Sequence, residues 1–111
     1  MQTKPTVGQK IKFCLNARPA VWGTGVVKQI TDQGDYSVVC VEPCSGHVLH
    51  VHQDEVKAVY KHYTTLPNYP YVTSTLQVER DHYIGDYETD PEFAEECINQ
   101  LDAAYETLMA S

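Results

Sequence analysis

Apolar and polar residues alternate with a period of two over residues 10–15, which places Ile11, Phe13 and Leu15 on one face of a strand. Residues 16–19 break the pattern, and Gly23-Thr24-Gly25 leads into a second strand over 26–30. Its apolar residues do not alternate cleanly, and a bulge near Gly25 accounts for that. Asp32-Gln33-Gly34-Asp35 predicts a turn, and residues 36–41, rich in β-branched side chains, predict a third strand. Pro43-Cys44-Ser45-Gly46 turns the chain again, and residues 47–51 return as a fourth strand. One tight helical turn over 53–56 and a short fifth strand over 57–60 complete the run.

The pattern then changes. Residues 61–89 hold Pro67 and Pro70 and are crowded with tyrosine: Tyr63, Tyr69, Tyr71, Tyr83 and Tyr87, with Tyr60 beside them. A residue before proline avoids the helical region, so this stretch reads as a Tyr/Pro-rich extended arm. Residues 72–78 alternate well enough for one extra strand within it. Tyrosine is amphipathic, so the arm is expected to lie across the strands. The last element is the clearest. Thr89-Asp90-Pro91-Glu92 starts a helix, either with Asp90 as N-cap and Pro91 at the first position, or with Thr89 and Glu92 as a capping box. At helical spacing, Phe93, Ala94, Cys97, Ile98, Leu101, Ala104, Tyr105, Leu108 and Met109 share one side. Glu92, Glu95, Glu96, Asp102 and Glu106 share the other.

Five short strands in about 55 residues predict a small antiparallel barrel. Gly8 to Phe13, Gly23-Thr24-Gly25-Val26-Val27, Gly34-Asp35-Tyr36-Ser37-Val38 and Asp54-Glu55-Val56 resemble the layout of SH3-like barrels of the Tudor and KOW type. The resemblance covers residues 7–60 and implies fold more than function, since that family includes RNA binders, methyl-ligand readers, peptide binders and plain structural modules. The predicted class is therefore α+β, mainly β: an SH3-like barrel over 1–60, the arm over 61–89 and an acidic amphipathic helix over 90–110, together one compact domain.

Charge sharpens this division. Residues 1–80 hold all eight Lys and Arg and six acids, whereas residues 81–111 hold nine acids and no Lys or Arg. A segment of that kind repels nucleic-acid phosphate and attracts basic surfaces. The net charge of −7 argues against a chain that coats nucleic acid as a whole. No signal-peptide pattern and no apolar run of membrane-spanning length occur, and the irregular spacing of Cys14, Cys40, Cys44 and Cys97 fits reduced thiols. A cytoplasmic protein is expected.

Three constellations offer chemistry. Glu92, Glu95, Glu96, Asp102 and Glu106 can imitate a run of phosphates or can simply be a solvated face. Trp22 and Tyr36 stand where Tudor-like barrels place caging aromatics, and with Tyr69 and Tyr71 they suit packing or a protein interface. Cys40, Cys44 and His47 lack a fourth ligand. With Val41 placed opposite Val48, His50 and His52 face away from Cys40, so no zinc site and no cofactor is expected. No phosphate loop, His-Glu-x-x-His or Cys-x-x-Cys is present, and no enzyme is expected. The sequence is best read as a small protein–protein interaction module, of the accessory or inhibitory kind a phage directs at a host nucleic-acid enzyme. Its acidic helix would dock on a basic surface. Two other readings stand beside it: nucleic-acid binding through Lys10, Lys12 and Lys28, and homodimerisation through the C-terminal helix.

Overall fold

In the computed structural model, which describes residues 4–111, the alternating first half forms a five-stranded antiparallel sheet. The strands are β1 (Lys10–Leu15), β2 (Val21–Ile30), β3 (Tyr36–Glu42), β4 (Val48–Val51) and β5 (Val56–Val59), with a 3-10 turn at Gln53–Glu55 leading into β5. Their order is β4-β3-β2-β1-β5, so the first strand pairs with both the second and the last. This is compatible with a small β-barrel-like fold. The inward set is Ile11, Phe13, Val27, Tyr36, Val38, Cys40, Val51 and Val59, all buried in one cluster.

The expected irregularity in β2 lies where glycine allows it. The β2–β3 register shifts between Thr24 and Gly25 and again between Val27 and Gln29. A Cβ at Gly25 would sit 2.4 Å from the Val38 Cγ1 atom and 2.8 Å from the Val39 carbonyl oxygen. Only a residue without Cβ lets the two strands approach this closely. In the β3–β4 hairpin Val48 pairs with Val39, not Val41. The displacement is two residues, and the side-chain period is also two, so every residue keeps its expected face.

Contacts divide the chain at a boundary after Lys61, and a second compact unit runs from His62 to Ser111. Here the expected arm and its extra strand over 72–78 are overturned. Residues 70–85 form a helix, α1 (Pro70–Gly85), and the final helix is α2 (Pro91–Ala110). The pre-proline restriction acts on Leu66, which precedes the helix, and on Tyr69, its N-cap. Pro70 occupies the first helical turn, where its missing N–H leaves no bond unmade. The alternation of Val72 and Val78 misleads because both are exposed. The inward face of α1 is Thr73, Arg80 and Ile84, with polar residues doing what apolar ones usually do. Thr73 Oγ1 accepts from the Leu66 N–H at 3.2 Å and donates to the Tyr69 carbonyl at 2.8 Å. Gln77 Oε1 accepts from the Tyr63 N–H at 2.7 Å. With 16 and 20 residues in the helices and strands of 6, 10, 7, 4 and 4, helix weighs at least as much as strand in this α+β chain.

Helix α2 starts as the sequence predicts. The Asp90 carboxylate accepts from the Phe93 N–H at 3.2 Å, and Pro91 sits in the first turn. Its buried residues Ala94, Ile98 and Tyr105 lie in the same unit as α1. The Tyr105 ring stacks on Tyr63, with centroids 4.3 Å apart, and its hydroxyl donates to the Thr64 carbonyl at 2.8 Å. The middle of the apolar face of α2 is thus engaged within its own unit, while Phe93 and Met109 are exposed. No helix of the described residues is long and apolar enough to cross a membrane.

Candidate functional site

The structural boundary after Lys61 is also an electrostatic one. Up to Lys61 the chain holds seven Lys and Arg against five acids, a net of +2. After it come ten acids and one base, Arg80, a net of −9. Arg80 is 2 % exposed and its Nε donates to Asp102 Oδ1 at 3.0 Å. The one basic side chain of the helical unit is therefore internal, and its outer surface carries carboxylates with no Lys or Arg among them.

The five acids predicted to dock separate into two groups. Glu92, Glu96 and Glu106 are exposed and Glu95 is half-buried. At 100° per residue these four fall within an arc of about 100° on α2 and span about 21 Å of its length. Asp102 lies just past the edge of that arc, toward Ile98, and points inward. Its Oδ1 accepts from both the Arg80 guanidinium and the Tyr63 hydroxyl, the latter at 2.5 Å. Burial first, and then the Asp102 carboxylate, push the Tyr63 phenol well above its ordinary range, so it stays a donor. Asp102 is a structural residue of the helical unit, and its removal from the docking set is a correction forced by the buried partner.

The aromatic candidates do not assemble. Trp22 lies near the start of β2, half-buried, with the Lys12 ammonium 5.7 Å from its ring centroid. Tyr36 pairs with Ile30 at the other end of β2, about 26 Å away by the rise of a strand. Tyr36 is buried in the sheet core, so it is neither a cage wall nor a docking residue. Tyr69 is half-buried at the start of α1, whereas Tyr71 is 87 % exposed. An exposed ring that the sequence placed on the apolar side, Phe93, stands beside the carboxylate arc and is met edge-on by Tyr83 at 6.0 Å. A shallow hollow of about 200 Å³ opens near α1, lined by His62, Tyr63, Thr73, Gln77 and Val78 among others.

On the sheet unit, Cys40 is buried and Cys44 exposed, and all four cysteines are free thiols. Cys40 belongs to the core, and the backbone of His47 rather than its ring meets it: the Cys40 N–H donates to the His47 carbonyl at 2.7 Å. His50 and His52 face the other way, as expected, and there they meet Asp35. Asp35 is a residue the sequence reading assigned only to a turn. The signal was present: two histidines at i and i+2 at the end of a strand, with an acid across the hairpin at the matching parity.

Two carboxylates of this unit are held ionised. Burial opposes the charge on Glu55, but its carboxylate accepts from the Asn16 N–H at 2.7 Å and the His52 N–H at 2.8 Å, and its pKa is lowered. For Asp35 too, burial is outweighed, by the Gln53 N–H and by His52 and His50, and the pKa is lowered.

No protein-family model, curated protein or solved structure matches this chain.

Proposed function

We propose that the chain is a non-enzymatic interaction module whose helical unit docks on the basic, nucleic-acid-binding surface of a partner protein. The observation that carries this reading is the coincidence of the charge break with the structural boundary, with the sole base of the acidic unit turned inward. Stability does not account for the arrangement. Glu92 and Glu96 are i,i+4 neighbours and Glu92 and Glu95 are i,i+3 neighbours, and such like-charge pairs cost a helix about 0.2–0.5 kcal/mol each. Glu106, near the C-terminus of α2, opposes the helix dipole. Glu92, in the first turn, is favoured by the same dipole, but Glu95, Glu96 and Glu106 gain the helix nothing and suit a surface that serves by its charge. Phe93 supplies an aromatic anchor beside them.

The sheet unit, in this reading, is an SH3-like barrel of the Tudor and KOW type. Its strand order and the 3-10 turn before β5 support that assignment. Its modest positive charge is partly engaged on aromatic faces, Lys12 over Trp22 and Lys10 over Tyr60 at 4.7 Å, which disfavours it as the primary nucleic-acid surface.

The test is affinity capture from native lysate with the full chain and with a Glu92→Gln, Glu95→Gln, Glu96→Gln, Glu106→Gln variant. A nucleic-acid-binding protein captured by the wild type, released by duplex DNA or RNA and lost from the variant is the expected result. Equal capture by both chains would end the proposal. Direct, salt-sensitive binding of the chain itself to DNA or RNA would move the function to the sheet unit.

A further inference from the structure

The outer face of the β3–β4 hairpin gathers three metal-ligating side chains that the proposed docking function does not use. Ser37 pairs with His50 and Tyr36 with Val51, so the position after Val51 lies opposite Asp35. Alternation puts Asp35, His50 and His52 on the face opposite Tyr36, Val38 and Val51. His52 Nδ1 lies 3.3 Å from Asp35 Oδ2, and His50 Nε2 lies 3.7 Å from the same oxygen. One ligand atom from each residue lies within 4.8 Å of the other two.

We propose that Asp35, His50 and His52 form a three-ligand site for a borderline divalent transition metal such as Zn²⁺, with the remaining coordination open to water. Bonds of about 2.0–2.2 Å in a tetrahedral arrangement set ligand atoms about 3.4 Å apart, so modest rotation of the imidazoles brings all three into reach. Two nitrogens and one carboxylate oxygen select zinc, copper, nickel or cobalt over magnesium and calcium. The carboxylate is already positioned from behind. Asp35 Oδ1 accepts from the Gln53 N–H at 3.2 Å, and the Asp35 N–H donates to Thr31 Oγ1 at 3.1 Å. Supports of this kind hold a ligand's orientation in metal sites. The Asp35 side chain is 13 % exposed, while the imidazoles are 55 % and 57 % exposed and can turn without unpacking the core. Glu55 lies within electrostatic reach of both rings and adds to their attraction for a cation.

The full chain is titrated with Zn²⁺ while the histidine imidazole resonances are followed by NMR. His47, His62 and His82 serve as internal controls. The expected result is saturable binding of one ion, with His50 and His52 shifting together. Affinity should fall at least about tenfold in Asp35→Asn and in His50→Ala. Far-UV circular dichroism checks that each variant keeps its fold. Mg²⁺ should leave the spectrum unchanged. No saturable shift at His50 and His52, equal shifts at the control histidines, or undiminished binding in the double variant His50→Ala, His52→Ala would overturn the site.

Discussion

Replacing Asp102 by alanine should cost the helical unit most of its stability. The carboxylate accepts from a guanidinium that is 2 % exposed and from the buried Tyr63 hydroxyl, while being 26 % exposed itself. Removing one partner of a buried ion pair costs about 3–5 kcal/mol, and the lower end applies here, because Asp102 is partly exposed and Arg80 keeps its contact with the Tyr63 hydroxyl. Residues 62–111 at a typical 0.05–0.15 kcal/mol per residue amount to roughly 2.5–7.5 kcal/mol in all. The loss is thus comparable to the total. Asn at the same position keeps one acceptor and should fall between the two, at about 1.5–3 kcal/mol, the worth of a hydrogen bond to a charged group. Urea unfolding followed at 222 nm reports α1 and α2, and Glu106→Ala is the surface control, expected within about 0.5 kcal/mol of wild type. If Asp102→Ala unfolds within about 1 kcal/mol of wild type, or no more easily than Glu106→Ala, the assignment of Asp102 to the interior is wrong.

Three further outcomes follow from the same reasoning. Gly25→Ala should destabilise the sheet unit by about 1–3 kcal/mol, since the new methyl meets Val38 and the Val39 carbonyl, and Trp22 fluorescence during urea unfolding reads this. Glu55 has a lowered folded pKa, so its stabilisation is complete above the ordinary carboxylate value of about 4.3 and is lost as pH falls through the lower folded value. Glu55→Gln should therefore lose about 1.5–3 kcal/mol at neutral pH, and the gap to wild type should close in acid, where the wild-type group is itself protonated. The four-glutamine variant of α2 should melt at the wild-type temperature or slightly above it, because like-charge pairs are removed; a large drop in Tm would mean that these carboxylates serve the fold.

The sheet was legible because its physics is local. Alternation fixed the faces of β1 and β3, turn residues bounded the strands, and a Gly-associated bulge explained the uneven pattern in β2. Even the misplaced pairing of Val48 did no harm, since a two-residue shift preserves the faces. Helix α1 was not legible for a physical reason. Its inward face holds Thr73 and Arg80 beside Ile84, with Gln77 half-buried, and these polar side chains bond to Leu66, Tyr69, Tyr63 and Asp102 around them, while Val72 and Val78 look outward. A hydrophobic pattern is blind to a polar interior. The same Arg80 hid the role of Asp102, which the helical wheel places at the margin of the acidic arc. It also hid the true charge boundary, because a single buried base extended the apparently neutral region to residue 80. The cluster of Asp35 with His50 and His52 needed the register of the hairpin, and composition alone carries no register.

The salt dependence of binding bears most directly on the docking surface. The captured partner's affinity is measured for wild type and for the four-glutamine variant, each at low and at physiological ionic strength. Carboxylates that contact a cationic surface should give a wild-type affinity that falls steeply with added salt, and a variant that binds weakly at both. Equal affinities for the two chains, unmoved by salt, would contradict the account.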